Sequence, residues 1–233
     1  MIRVYLSNIT WFTSAEYSTL RKLLKEDDQK EILRFRLEND QKRGILSKIG
    51  LYKVLKMFGA EPSMLQSNQY GKKYINIEGK KAKHFNISHS GDWVVHVVSE
   101  QEVGVDVEEM KVIEYHALSS FFAQEDRQYL RMCLASELPE EFYRIWTSKE
   151  AYVKYLGLGL NKNLKSFYTT TEERAKKEAT IQSWQLGNYI LSVCTREEEM
   201  IQIDTWGLKE ERERKQYIGQ KQLRKISVIE KFY

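Results

Sequence analysis

The chain is poor in the residues that mark disorder, secretion and membrane insertion. Only two prolines, Pro62 and Pro139, occur in 233 residues, which argues against long low-complexity segments. The two cysteines, Cys133 and Cys194, are isolated from each other and from any CxxC pair. No disulfide framework is expected, and both read as buried apolar side chains in a reducing compartment. No apolar run approaches the ~18 residues of a membrane span. The N-terminal MIRVYLSNITWF alternates like a strand and lacks the apolar core of a signal peptide. A cytoplasmic protein without membrane association is the expectation. A dominant charge of one sign is missing too: the net charge is +4. That balance suits an anionic ligand or an acidic partner, and with no zinc-finger or RNA-binding signature no nucleic acid is expected.

What is present is the composition of an ordinary globular chain, 42% hydrophobic and 30% charged, long enough for one large domain or two smaller ones. Residues 2–7 read as a strand and 18–35 as a charged amphipathic helix. A second helix is expected over 39–58, where Ile45, Ile49, Tyr52 and Leu55 recur at helical spacing and Gly59 suits the cap. Loop and short strand follow over 71–83, then strands near 85–88, 93–99 and 103–108. Helices are expected near 114–134 and 139–157, and short strands near 164–169, 181–185, 188–195 and 201–206. The stretch 209–225 reads as a charged, solvated tail.

The chain also resembles itself. SGDWVVHVVSEQE (90–102) aligns with LGNYILSVCTREE (186–198), and SKIGLYKVL (47–55) aligns with SKEAYVKYL (148–156). Two matches in the same order and near one offset point to two related halves, taken as 1–109 and 110–233, with the site in the cleft between them.

Three stretches carry candidate chemistry. In VGVDVEEM (103–110) the valines face one way, and Gly104, Asp106 and Glu108 the other. The two carboxylates then lie roughly 7 Å apart at the backbone, a spacing that suits a hard cation such as Mg²⁺ and equally an ordinary half-exposed strand. Gly104 would leave room for a ligand. In IWTSKEAYVKYLGLGL (145–160), Glu150 shares a helix face with Trp146 and Val153. It needs a cation, which could be a metal or Lys154 in an i,i+4 pair. In FNISHSGDWVVHVV (85–98), Ser88, His89 and Ser90 offer hydrogen-bond donors to an anion, or a turn whose hydroxyls bond the local backbone. A serine-hydrolase elbow is absent.

Taken in order, these segments resemble the Sfp-type 4'-phosphopantetheinyl transferases. The family's strand signature reads Val103-Gly104-Val105-Asp106-Val107-Glu108. Its helix signature reads Trp146-Thr147-Ser148-Lys149-Glu150-Ala151 with Lys154, Glu150 lying 44 residues after Asp106. Asn86-Ile87-Ser88-His89-Ser90, Tyr70-Gly71-Lys72, Phe121-Phe122 with Glu125-Asp126, and Gly157-Leu158-Gly159-Leu160 also match.

The resemblance implies an α+β fold of two pseudo-symmetric halves, each a small, mostly antiparallel sheet packed with helices. It implies transfer of the 4'-phosphopantetheine arm of coenzyme A to a serine of an acyl or peptidyl carrier protein, with adenosine 3',5'-bisphosphate leaving. Asp106, Glu108 and Glu150 would hold Mg²⁺, with Glu150, Lys154 and Asp106 the catalytic set. Arg43, Lys72, Ser88, His89, Lys149 and Lys154 would contact coenzyme A. The two halves together make one complete site, so a monomer is expected. One stretch departs from the family. Before Leu33-Arg34-Phe35, where basic residues usually meet the 3'-phosphate, this chain has Asp27-Asp28-Gln29-Lys30-Glu31. That departure motivates an alternative, a non-catalytic module that binds coenzyme A or a carrier protein. The carboxylates alone would also suit a Mg²⁺-dependent pyrophosphate hydrolase.

Overall fold

Valine-rich alternation builds the centre of the molecule. The computed structural model describes residues 1–79, 82–159, 163–169 and 179–206, and the backbone of 223–226. The first sheet contains β1 (Ile2–Asn8), β2 (Leu65–Ser67), β3 (Lys73–Ile75), β4 (Lys83–Ser90), β5 (Trp93–Ser99) and β9 (Ile201–Thr205), in the order β2-β3-β4-β5-β1-β9. The second contains β6 (Val103–Glu109), β7 (Thr180–Leu186), β8 (Tyr189–Thr195) and β10 (Leu223–Ile226), in the order β10-β7-β8-β6. All pairings are antiparallel except β1 with β9.

The two sheets face each other across one apolar core. Ile2, Val4 and Leu6 of β1 and Trp93, Val95 and Val97 of β5 meet Val103, Val105 and Val107 of β6 and Leu191 and Val193 of β8. Helix α3 (Glu38–Met57) covers the outer face of the first sheet, packing Leu51, Val54 and Leu55 on Tyr5, Phe85 and Val98. Helix α6 (Leu138–Leu156) covers the outer face of the second, with Phe142, Tyr143 and Ile145 around Ile190, and Ala151 and Tyr152 around Cys194. The layers run helix, sheet, sheet, helix, an α+β arrangement. Among the described residues no helix is long and apolar enough to cross a membrane.

The aligned segments occupy equivalent elements. β4–β5 turns through Gly91 (φ 51°) and β7–β8 through Gly187 (φ 59°), backbone that only glycine adopts cheaply. Each hairpin's next strand crosses over: β6 joins β8 in the second sheet and β9 joins β1 in the first. The strand that ends the 1–109 segment is thus hydrogen-bonded within the other sheet.

Several expected elements divide or shift. The 18–35 stretch forms two helices, α1 (Ser14–Lys22) and α2 (Glu26–Leu33). A Thr13–Glu16 capping box starts the first, and Glu26, Asp27 and Asp28 favour a fresh N-terminus for the second. The 114–134 stretch breaks into α4 (Tyr115–Leu118), a 3₁₀ turn and α5 (Gln124–Met132), because extended Phe122 and Ala123 interrupt it while Phe122 enters the core. The strand expected at 164–169 is a 3₁₀ turn at Leu164–Ser166, capped by Asn163 through the Lys165 N–H. Short β2 was not foreseen, and β4 runs through the whole Ser88-His89-Ser90 run. Most of the charged tail lies outside the described residues.

Gly104 decides where α6 sits. A Cβ there would overlap the Ala151 carbonyl oxygen and the Tyr155 nitrogen. The space foreseen for a ligand is therefore filled by helix backbone, and this close approach brings Glu150 and Lys154 over β6. Gly104→Ala is expected to push α6 outward and destabilise by about 1–3 kcal/mol, a fall of several degrees in Tm by thermal unfolding. An unchanged Tm would contradict the packing account.

Candidate active site

The pleat of β6 turns Gly104, Asp106 and Glu108 towards α6 while its valines enter the core. On α6, Trp146, Glu150 and Lys154 recur four residues apart on one face. These residues meet Ile87, Ser88 and His89 of β4 around a cleft of about 400 Å³. A neighbouring groove of about 340 Å³ is lined by Tyr70, Lys72, Phe85, Asn86, Gly157 and others, and shares Ile87 and Lys154 with the cleft.

Asp106 is 4% exposed. Its Oδ1 accepts from Ser88 Oγ at 2.8 Å and from Lys154 Nζ at 2.7 Å, while its buried Oδ2 has no hydrogen-bond partner. Lys154 also donates to Ser88 Oγ at 3.0 Å. Glu108 accepts from Ser90 Oγ at 2.6 Å. Burial and the Asp106 charge raise the Glu108 pKa against the opposing Ser90 hydrogen bond. The Glu150 pKa is likewise raised by burial and by Asp106, with Lys154 opposing. The cleft thus gathers three carboxylates and one ammonium, with the two glutamates holding their charge reluctantly.

An all-oxygen donor set, an orphaned Asp106 oxygen and carboxylates short of positive charge fit a hard divalent cation. As the side chains stand, with Lys154 on Asp106, no group of three or more His, Cys, Asp or Glu is drawn together tightly enough to hold a metal among the described residues. Coordination would require Lys154 and the glutamates to adjust.

Two family models abut along the chain. The 4'-phosphopantetheinyl transferase N-terminal model matches residues 10–102, and the 4'-phosphopantetheinyl transferase superfamily model matches 102–210. The 4'-phosphopantetheinyl transferase psf-1 of Bacillus pumilus is 30% identical over 174 residues, 70% of this chain and 75% of that protein. The chain belongs to the Sfp-type 4'-phosphopantetheinyl transferase family. The transferase gsp of Aneurinibacillus migulanus is 28% identical over 155 residues, covering 65% of this chain and 64% of its own. The transferase Sfp of Bacillus subtilis (strain 168) is also 28% identical over 155 residues, covering 65% and 68%.

Within this transferase the residues singled out from the sequence divide into groups. Asp106, Glu108, Glu150, Lys154, Ser88 and His89 share the cleft. His89 stands on its exposed rim, and partial burial and the Arg43 charge lower its pKa, so the ring is neutral near pH 7. Arg43, on α3, donates to the Gly91 carbonyl and pairs with Asp40. Lys72 lines the neighbouring groove but its ammonium is engaged by Glu102 and by the Tyr155 carbonyl at 2.8 Å. Burial works against the Glu102 charge, yet the neighbouring His84 and Lys72 bring its pKa down to about 2. Within the acidic 27–31 stretch Asp28 and Glu31 pair with Lys48, and Lys30 pairs with Glu26.

Lys149 is a correction. Expected at coenzyme A, it is fully buried behind α6, 2.7 Å from Asp126, and donates to the carbonyls of Leu164 and Phe167. Its ammonium also lies 4.4 Å from the Phe167 ring centroid. It ties α6 to α5 and to the 163–169 turn. Helix geometry accounts for the miss, since Lys149 and Glu150 are neighbours in sequence and point about 100° apart. The Ser88 hydroxyl proton, expected on a phosphate, is held by Asp106.

Two outcomes follow from these environments. Lys149→Met leaves Asp126 buried without its cation and should destabilise by about 3–5 kcal/mol in denaturant unfolding; an effect under about 1 kcal/mol would contradict the buried pairing. Glu150→Gln, measured without divalent ion, should raise Tm near pH 7. A carboxyl whose folded pKa exceeds its unfolded value loses stability as pH rises through that range. The gain should therefore be complete above the raised pKa and vanish below the ordinary glutamate range. A lowered Tm at neutral pH would show that Glu150 is already compensated.

Proposed function

We propose that this transferase moves the 4'-phosphopantetheine arm of coenzyme A onto a serine hydroxyl of an acyl or peptidyl carrier protein. The reading is supported most directly by the joining of three carboxylates and Lys154 in one cleft that continues into a second groove. An elongated, phosphate-rich nucleotide suits such a continuous groove, with the pyrophosphate beside the carboxylates and the remainder running past Ile87 towards Lys72. Asp106, Glu108 and Glu150 would hold Mg²⁺, which when bound supplies neutralisation of the pyrophosphate charge.

The chain's own groups have distinct tasks in this scheme. Lys154, released from Asp106, offers a mobile positive charge to the phosphates. Neutral His89 offers a ring N–H at the rim. Glu150, whose proton affinity is raised by burial and Asp106, is suited to take the serine proton directly or through water. The serine oxygen bonds to the phosphorus bearing the pantetheine. The bond from that phosphorus to the bridging oxygen breaks, and adenosine 3',5'-bisphosphate departs with the electron pair. One chain supplies both walls, β4 from the first sheet and β6 with α6 from the second, so the working unit is a monomer.

Intact-mass spectrometry of apo carrier proteins incubated with the enzyme, coenzyme A and Mg²⁺ tests this reading. One phosphopantetheine should be added per carrier, with a Mg²⁺ requirement, and Asp106→Asn should reduce the rate by about 100-fold or more. Free phosphopantetheine formed without carrier would favour a hydrolase, and coenzyme A binding without turnover would favour a binding module. Either result, across several carriers, would overturn the proposal.

A further inference from the structure

Among the described residues β6 is an edge strand, pairing with β8 on one side only. Three of its outward N–H groups nevertheless have acceptors. Asn86 Oδ1 accepts from Val105 N at 3.0 Å, Ser88 Oγ from Val107 N at 3.3 Å, and Ser90 Oγ from Glu109 N at 3.1 Å. Three side chains, two residues apart on β4, stand in for the carbonyls of a missing strand.

The residue types in this comb follow what β6 presents beside each tooth. Asn86 lies against Gly104-Val105, where there is no side chain to hold, and an amide oxygen that only accepts is enough. Ser88 lies against Asp106-Val107, and Ser90 against Glu108-Glu109. A hydroxyl accepts and donates at once. Ser88 donates a hydrogen bond to Asp106 Oδ1 at 2.8 Å, and Ser90 donates one to Glu108 Oε2 at 2.6 Å. Each carboxylate is thereby fixed through one oxygen, and Asp106 keeps its buried Oδ2 free of protein partners.

We infer that Ser90 is a positioning residue for Glu108, as Ser88 is for Asp106: the comb that seals the edge of β6 also orients the carboxylates of the divalent-ion site. This inference rests on the proposed function. Outer partners of this kind orient metal ligands, and their loss lowers metal affinity by about 10–100-fold. A purely structural Ser90 would affect stability alone.

The series Ser90→Thr, Ser90→Cys and Ser90→Ala separates these roles. Mn²⁺ binding is followed by electron paramagnetic resonance of the free ion, with coenzyme A present and no carrier, and Tm is recorded for each variant. Threonine keeps both hydrogen bonds and should bind Mn²⁺ like the native enzyme. Alanine should raise the half-saturating Mn²⁺ concentration about tenfold or more, with cysteine between. In turnover assays the Mg²⁺ requirement should shift in the same order, further than kcat at saturating Mg²⁺. If alanine fails to fold, the threonine–cysteine difference still decides. Unchanged Mn²⁺ affinity across the folded variants, whatever their Tm, would overturn the inference. Native enzyme that neither binds Mn²⁺ nor transfers phosphopantetheine would instead sink the parent reading, and the inference with it.

Discussion

The edge of β6 that no strand pairs among the described residues is the constraint on which the rest depends. A strand with valines on one face and carboxylates on the other must bury the first, hold the second at the cleft, and satisfy its outer N–H groups. Continuing the first sheet through β4 would satisfy the backbone and close the cleft. The chain instead reaches across with Asn86, Ser88 and Ser90. The two sheets can then face each other over an apolar core, while the carboxylates look the other way, towards α6.

Helix α6 completes the arrangement because Gly104 lets its backbone lie against β6. That contact brings Glu150 and Lys154 to Asp106 and Glu108. The helix is held from behind by the Lys149–Asp126 pair. At its far end the 68–72 loop caps it: Asn68 Nδ2 donates to the Gly157 carbonyl at 2.9 Å and Lys72 to that of Tyr155 at 2.8 Å. A lysine at a helix C-terminus also complements the helix dipole. These contacts hold in place carboxylates that burial and mutual repulsion destabilise, the usual condition of a site built to receive a cation.

The chain's residues disclose the fold and the site unequally. Alternation in 103–109 is a period-two signal and 93–99 is a short apolar run bounded by turn residues, so those strands and the paired turns at Gly91 and Gly187 were legible. The strand period placed Asp106 with Glu108 and the helix period placed Glu150 with Lys154; that the two sets meet was implied only by the family resemblance, and they line one cleft. Side-chain acceptors across sheets leave a fainter trace. Ser88 and Ser90 read equally well as anion donors or as turn hydroxyls, Asn86 carried no reading of its own, and the period of two becomes meaningful only once β6 is known to lie alongside. Gly104 read as room for a ligand because nothing local says that a helix backbone will occupy it. Lys149 was misplaced because adjacency to Glu150 in sequence is not adjacency in space. The split of 18–35 into two helices turned on a capping box and an acidic first turn, signals weaker than the amphipathic pattern that runs through both.

The central claim is that the carboxylates of β6 and α6 share one divalent ion beside a bound pyrophosphate. Anomalous diffraction at the manganese edge, from crystals grown with coenzyme A and Mn²⁺, tests it most directly. The account predicts a single strong peak within coordination distance of Asp106, Glu108 and Glu150, with Lys154 turned from Asp106 towards the phosphates. A peak elsewhere, or coenzyme A bound with Lys154 still on Asp106 and no metal between the carboxylates, would contradict it.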